Sequence, residues 1–316
     1  MPAAGLTYRE PAAGDLERVY ALEARGTHEA AVMRGAARPE DAPTEEDLAR
    51  GWRAQRPLAE FLAAQPGTSC WLCCDDEGEV VGYSRVVRFD GMEELTGLAV
   101  SRSHRNQGIA RDLLERCWPD APRPDLGRVM VAKGGLVDLT LCLGFGVMPA
   151  AGHWQLRART EPYLERRAQE DSAAGENVHV LTRGRAVAEW DRLEGPAIAH
   201  GRRPLHEFFE RDRVCLACMD GDRATALCWV GSGGEIGPGV AASSEALLPV
   251  VLGALDRVAK THEPEELSVS VSTISWWLLR RLRGLGFRVG QSGWVLCSEP
   301  LPGLDRYLPT APPQLL

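Results

Sequence analysis

Short apolar stretches alternate with helical-period segments along the chain, and the same order of signals occurs twice. The first series predicts a strand at Leu6 to Arg9, then a helix at Asp15 to Arg25. A second helix is predicted within Thr44 to Ala64, its start marked by Thr44 with Asp47 three residues on. Strands follow at Cys70 to Cys74, Val80 to Phe89 and Leu95 to Val100, the first two joined by an Asp-Glu-Gly turn. A helix at Gly108 to Cys117, a strand at Arg128 to Ala132, a helix at Leu136 to Leu143 and a strand pair near Phe145 and Trp154 complete it.

The second series predicts a strand at Val178 to Thr182, helices near Ala186 to Leu193 and Leu205 to Glu210, and strands at Val214 to Met219 and Ala224 to Val230. A helix at Glu245 to Lys260, a strand at Leu267 to Val271, a helix at Ser275 to Arg283 and strands at Phe287 and Trp294 follow. Three landmarks recur at offsets of 145, 142 and 140 residues: Asp75 with Asp220, Phe145 with Phe287, and Trp154 with Trp294. A nearly constant offset marks an internal duplication, and its shrinkage means that the second copy has lost a few residues. Elements in this order imply an α/β (α+β) fold with a mixed sheet, not a bundle or a sandwich. The expected organisation is a first domain over 1–160, a polar linker from Glu161 to Glu176 and a second domain over 177–316.

Composition narrows the partners. A length of 316 residues suits two domains of about 150 residues each, and a net charge of −8 argues against a nucleic-acid partner. No apolar run reaches the roughly 18 residues of a membrane span, and the opening segment lacks a secretion signal. A cytoplasmic protein without membrane attachment, monomeric or homodimeric, is expected. The nine cysteines include two CxxC spacings, Cys70 with Cys73 and Cys215 with Cys218. Both lie in strand-like runs where residues three apart face opposite ways, so they read as small buried residues and no metal site is inferred.

The most informative segment is Leu95-Thr96-Gly97-Leu98-Ala99-Val100, followed by Arg105-Asn106-Gln107-Gly108-Ile109-Ala110 opening a helix. A strand feeding a Gly-containing loop at a helix start gathers free backbone N–H groups and favourable dipole potential around one point, which suits a pyrophosphate. Gly108 allows close approach, small Ala110 leaves it open, and Arg105 and Arg111 can add charge-assisted contacts. The whole run of strand, R-x-x-G-x-A, helix, strand, helix and Leu143-Gly144-Phe145 resembles the GNAT superfamily of N-acetyltransferases. Leu6 to Arg157 also follows the family's strand order.

The resemblance implies two tandem GNAT-like domains and an acetyl-CoA co-substrate. By the same resemblance, Arg105, Asn106, Gln107, Gly108, Ile109, Ala110 and Arg111 cradle its pyrophosphate. Leu98, Ala99 and Val100 bind its pantetheine arm through their backbone. Copy two also looks like a GNAT domain, but Ile236-Gly237-Pro238-Gly239-Val240 runs straight through Ala241 to Glu245 into a helix, with no R-x-x-G-x-A. It is expected not to bind CoA.

Acyl transfer to an amine needs a proton acceptor. Glu94 stands where some GNAT members carry a general-base glutamate, with Glu93 and Asp90 as alternatives. The tyrosine that often protonates the leaving thiolate is replaced by Thr140, and the asparagine often found earlier would fall at Lys133 or Gly134. His104 and His153 read as structural, and Trp276-Trp277 as part of an interdomain core. No G-x-S-x-G elbow is present, which favours direct attack in a ternary complex. The expected activity is N-acetylation of a small-molecule amine; the alternatives are a non-catalytic acyl-CoA-binding regulatory module, or acetylation of a protein or peptide.

Overall fold

Each predicted series forms its elements in the order read from the sequence. The structure, a computed structural model, describes residues 5–33, 35, 37–119, 125–132, 136–169, 177–310 and 315–316. The first series is β1 (Thr7–Arg9), α1 (Asp15–Met33), α2 (Glu45–Ala63), β2 (Ser69–Cys74), β3 (Val80–Phe89), β4 (Met92–Val100), α3 (Ile109–Cys117), β5 (Gly127–Ala132), α4 (Leu136–Leu143) and β6 (Met148–Arg159). The second is β7 (Val178–Val180), α6 (Arg185–Ile198), α7 (Arg203–Phe209), β8 (Val214–Asp220), β9 (Arg223–Val230), β10 (Ile236–Ala241), α8 (Ser244–Thr261), β11 (Glu266–Ser272), α9 (Trp276–Gly284) and β12 (Arg288–Cys297). Both read strand, two helices, three strands, helix, strand, helix, strand. Between them lies α5 (Thr160–Ala168), and β13 (Tyr307–Leu308) follows.

Contacts divide the chain into two units: Met1–Arg88, Glu93–Arg128 and Gly134–Gly146 in the first, and Phe89–Met92, Val129–Lys133 and Val147–Leu316 in the second. In the first unit β1, β2, β3 and β4 are sheet neighbours in that order. One face of this sheet packs against α1 through Val19 and Leu22 on Leu72, Cys74 and Tyr83, with Cys70 at the edge. The other face packs against α3 through Ile109 and Leu113 on Cys73 and Val81. Cys70 and Cys73 thus join separate cores, as strand alternation requires.

The second unit holds two sheets. One orders its strands β13, β10, β9, β8, β7. The other contains the antiparallel run β5, β12, β6, β11, in which strands of the two sequence copies alternate. A core of α8, α9, α5 and strand side chains covers them, including Leu247, Val251, Leu255, Leu278 and Leu282.

Two expectations need correction. The strand pairs expected near Phe145 with Trp154, and near Phe287 with Trp294, are each one long strand. Gly152 and Gly293 sit inside β6 and β12. Gly152 pairs opposite Trp294 and Gly293 opposite His153. Gly152 also donates its N–H to Thr273 Oγ1 at 2.9 Å and accepts from Thr273 N–H at 2.8 Å. A methyl group there would lie 2.6 Å from Thr273 Cγ2, so close approach and not a turn explains the glycine. Trp276 and Trp277, expected in a core, are 75% and 55% exposed, because α9 buries Leu278 and Leu282, four residues apart, and turns the tryptophans away.

The segment expected to be a linker opens with α5, which is docked: Tyr163 donates to Asp256 Oδ1 at 2.6 Å and Arg167 pairs with Asp256 at 2.7 Å. Its remainder, 170–176, lies outside the described residues, as do Lys133 and Gly134. Among the described residues no helix is long and apolar enough to cross a membrane.

Candidate functional site

The sequence-marked loop lies at the exit of β4. After a short 3-10 turn at Arg102–His104 the chain bends through two left-handed residues, Asn106 at φ 64° and Gly108 at φ 84°. Gly108 is the N-cap of α3, and its conformation is one that a side chain resists. A Cβ there would meet nothing within 4 Å, so the space outside the glycine is open to a ligand. The first helical hydrogen bond runs from Asp112 N–H to Gly108 O at 3.1 Å. The amides of Ile109, Ala110 and Arg111 are therefore left without acceptors inside the helix, at its positive end. Ile109, Leu113, Leu114 and Cys117 fix the opposite side of α3 in the core.

Gly82 on β3 sets how closely that helix sits. A methyl group added there would lie 2.7 Å from Ile109 Cγ2 and 3.1 Å from Leu113 Cδ1. Arg105 is held by Glu29 on α1 at 3.0 Å and donates through Nε to Val100 O at 3.4 Å. Asn106, Gln107, Gly108 and Arg111 are exposed, while Leu98, Ala99, Val100 and Ala110 are half-buried. His104 is held in the turn, its Nδ1 2.9 Å from both Ser101 Oγ and Ser103 Oγ. A cavity of about 260 Å³ adjoins the turn, lined by Arg18, Arg25 and Glu29 of α1 with Ser101 and Arg102.

The three acidic candidates differ. Glu93 is committed to cations, 3.5 Å from Arg128 Nε and 3.9 Å from Arg88 Nη2. Arg128 in turn donates to Phe145 O at 3.0 Å and lies over the Trp118 ring, which anchors the Leu-Gly-Phe turn. Asp90 occupies the β3–β4 turn with φ 30°. Glu94 is 1% exposed. Two residues on, Thr96 Oγ1 accepts from Arg85 Nε at 2.8 Å, so Glu94 and Thr96 share the strand face turned toward Arg85. Arg85 also reaches Ala59 O of α2 at 3.5 Å. Thr140 is exposed on α4, and His153 is buried on β6.

Copy two has no such loop. Ser243 caps α8 directly, its Oγ accepting from Ala246 N–H at 3.3 Å, so one amide of the helix start is taken by its own chain. The preceding strand β10 contains a cis Gly237–Pro238 bond and pairs with β9 on one edge and β13 on the other.

Residues 35–134 match the acetyltransferase (GNAT) family. The chain carries a GNAT domain. No protein of curated function matches its sequence. Its fold is similar to a candidate acetyltransferase of Pyrococcus horikoshii, with a TM-score of 0.68 at 15% identity over 97% of this chain and 94% of that one. It is also similar to a GCN5-related N-acetyltransferase of Sphaerobacter thermophilus, with a TM-score of 0.55 at 16% identity over 96% and 99%. A tandem GNAT protein from the clavulanic acid biosynthesis pathway gives 0.54 at 16% over 93% and 99%. At these identities the likeness establishes the fold alone, a GNAT-like fold that runs the length of the chain. The matched GNAT segment contains Glu94 and the whole Arg105–Arg111 loop. Among the described residues no cluster of His, Cys, Asp and Glu could hold a metal ion.

The sequence also left functional candidates unmarked. Glu23 of α1 and Tyr83 of β3 lie against Gly97 of β4, Arg85 of β3 bonds Thr96, and Tyr20 of α1 packs beside Trp52 of α2. For Glu23 the one signal was position, since residues 19, 22, 23 and 26 follow the sheet-facing stripe of α1.

Proposed function

We propose that the chain is an N-acetyltransferase that moves the acetyl group of acetyl-CoA to the amine of a small molecule, with only the first copy holding the co-substrate. The open, positively polarised start of α3 beside β4 carries this reading. The amides from Asn106 to Arg111 are suited to a pyrophosphate, with Arg111 exposed beside them. Arg105, paired with Glu29, contributes as a positioned cation that fixes the loop to α1. The backbone of Leu98, Ala99 and Val100 is the proposed rail for the pantetheine arm. In copy two the equivalent edge of β10 is taken by β13 and the helix start by Ser243, which supports assigning no CoA to it.

When bound, acetyl-CoA supplies a thioester carbonyl that the amine nitrogen attacks, forming the carbon–nitrogen bond as the carbon–sulfur bond breaks. Glu94 is the proposed acceptor of the proton that an ammonium must lose before it can attack. The nitrogen's second proton leaves with the departing sulfur, whose ordinary thiol pKa of about 8.5 makes it a tolerable leaving group without a protein acid. That matters because Thr140 stands where a tyrosine is common. The same threonine favours a second reading, an acyl-CoA-binding regulatory module without turnover.

Calorimetry with CoA tests the site and thiol release with a panel of amines tests the chemistry. Gly108→Glu places a carboxylate where the phosphates would lie and is expected to weaken CoA binding by about a hundredfold or more. CoA uptake equal to that of the parent overturns the assignment, and tight binding with no turnover on any acceptor selects the second reading.

A further inference from the structure

Gly97, in the middle of β4, has its explanation on α1. A methyl group added there would run into the Tyr83 ring and come 2.8 Å from Glu23 Oε1. The Glu23 carboxylate therefore lies against the β4 backbone, one residue before Leu98, where the proposed acyl-CoA rail begins. Tyr83 is fully buried. Tyr20, three residues before Glu23 and so on the same side of α1, has its ring 6.0 Å from that of Trp52 on α2. Burial first, and the Glu23 charge second, push the Tyr20 phenol up. Burial raises Tyr83 and Cys70, Arg85 opposes it, and the Glu23 carboxylate adds to it more weakly.

A half-buried carboxylate walled by aromatic rings has the chemistry of an ammonium site. The carboxylate supplies charge, the ring faces attract the cation, and the low-dielectric surroundings strengthen both. We propose that Glu23, with Tyr20 and Tyr83, is the subsite that holds the acceptor as a primary ammonium with an apolar body. Aliphatic amines, with an ordinary pKa near 10.4, arrive protonated at neutral pH. Glu23 holds that charged form beside Leu98, and the separate carboxylate of Glu94 then takes the proton. The acceptor role rests on the transferase reading, but the subsite itself can be tested without turnover.

The test uses the full chain with CoA present, and calorimetry with 2-phenylethylamine and its neutral counterpart 2-phenylethanol. The amine is expected to bind at least about tenfold more tightly than the alcohol. Glu23→Gln is expected to erase that difference while leaving CoA affinity and alcohol affinity unchanged, and Glu23→Asp to restore part of it. In turnover, Glu23→Gln raises KM for the amine with kcat little changed, whereas Glu94→Gln lowers kcat. Equal binding of amine and alcohol by the parent chain, no amine binding at all, or an unaltered preference in Glu23→Gln overturns the subsite. Glu23-dependent amine binding without CoA uptake would instead keep the subsite and remove the transferase reading.

Discussion

At the scale of single residues, the most tightly constrained group is Glu194 of α6, fully buried in the second unit. Its Oε1 accepts from Arg202 Nε at 3.1 Å and Nη2 at 2.9 Å, and its Oε2 accepts from Arg202 N–H at 2.8 Å and faces His206 Nε2 at 2.9 Å. Trp229 donates to His206 Nδ1 at 3.1 Å, so the Nε2 of that ring carries the proton given to Glu194. Arg202 also donates to Leu316 O at 2.6 Å and reaches the Tyr307 hydroxyl. Burial alone would raise the Glu194 carboxyl, but His206 and Arg202 outweigh it and hold the group well below the ordinary carboxylate range. A depressed value means that its contribution to stability is complete above the unfolded value of about 4.3 and is lost as pH falls from there toward the folded value. Glu194→Gln removes the carboxylate that buried Arg202 and His206 share and is expected to cost about 3–5 kcal/mol near neutrality. Urea midpoints measured from pH 7 down to pH 3 check both points: the variant starts lower and declines less steeply over the acid limb.

At the scale of elements, the two equivalent helix starts show how a few residues separate an open helix start, the proposed CoA site, from a capped one. Before α3 the chain has room for Arg105 to Gly108, and the amides face outward; before α8 it has only Ser243, whose hydroxyl takes one of them. Ser243→Ala is expected to cost about 1 kcal/mol, seen as a lower denaturation midpoint, with no change in CoA affinity. Gly82→Ala is expected to affect both stability and binding. Its new methyl collides with Ile109, so α3 must shift, costing about 1–3 kcal/mol and weakening CoA uptake through the displaced helix start. Equal CoA affinity in calorimetry would mean that the helix start tolerates displacement.

At the scale of the whole molecule, the run β5, β12, β6, β11 interleaves the sequence copies, so the repeat seen in the sequence is not the unit in which its last strands pair. A chain ended at residue 160 keeps β6 but removes the neighbours on both of its edges, β11 and β12. It is expected to aggregate or remain unfolded, because two long strand edges are left open. A monomeric, cooperatively melting 1–160 fragment would contradict this. The sequence by itself determined what depends on near neighbours: the duplication, the order of strands and helices, the Gly108 loop in copy one and its loss from copy two. Local backbone chemistry settles those features, since a left-handed glycine at a helix start has the same meaning in any surroundings. Only the tertiary structure decided what depends on residues far apart in the chain. It ran β6 and β12 unbroken through Gly152 and Gly293, and turned Trp276 and Trp277 outward. It also brought Glu23 against Gly97 across more than seventy positions of sequence. Such contacts follow from which faces pack together, and no spacing within one segment encodes the partner on another.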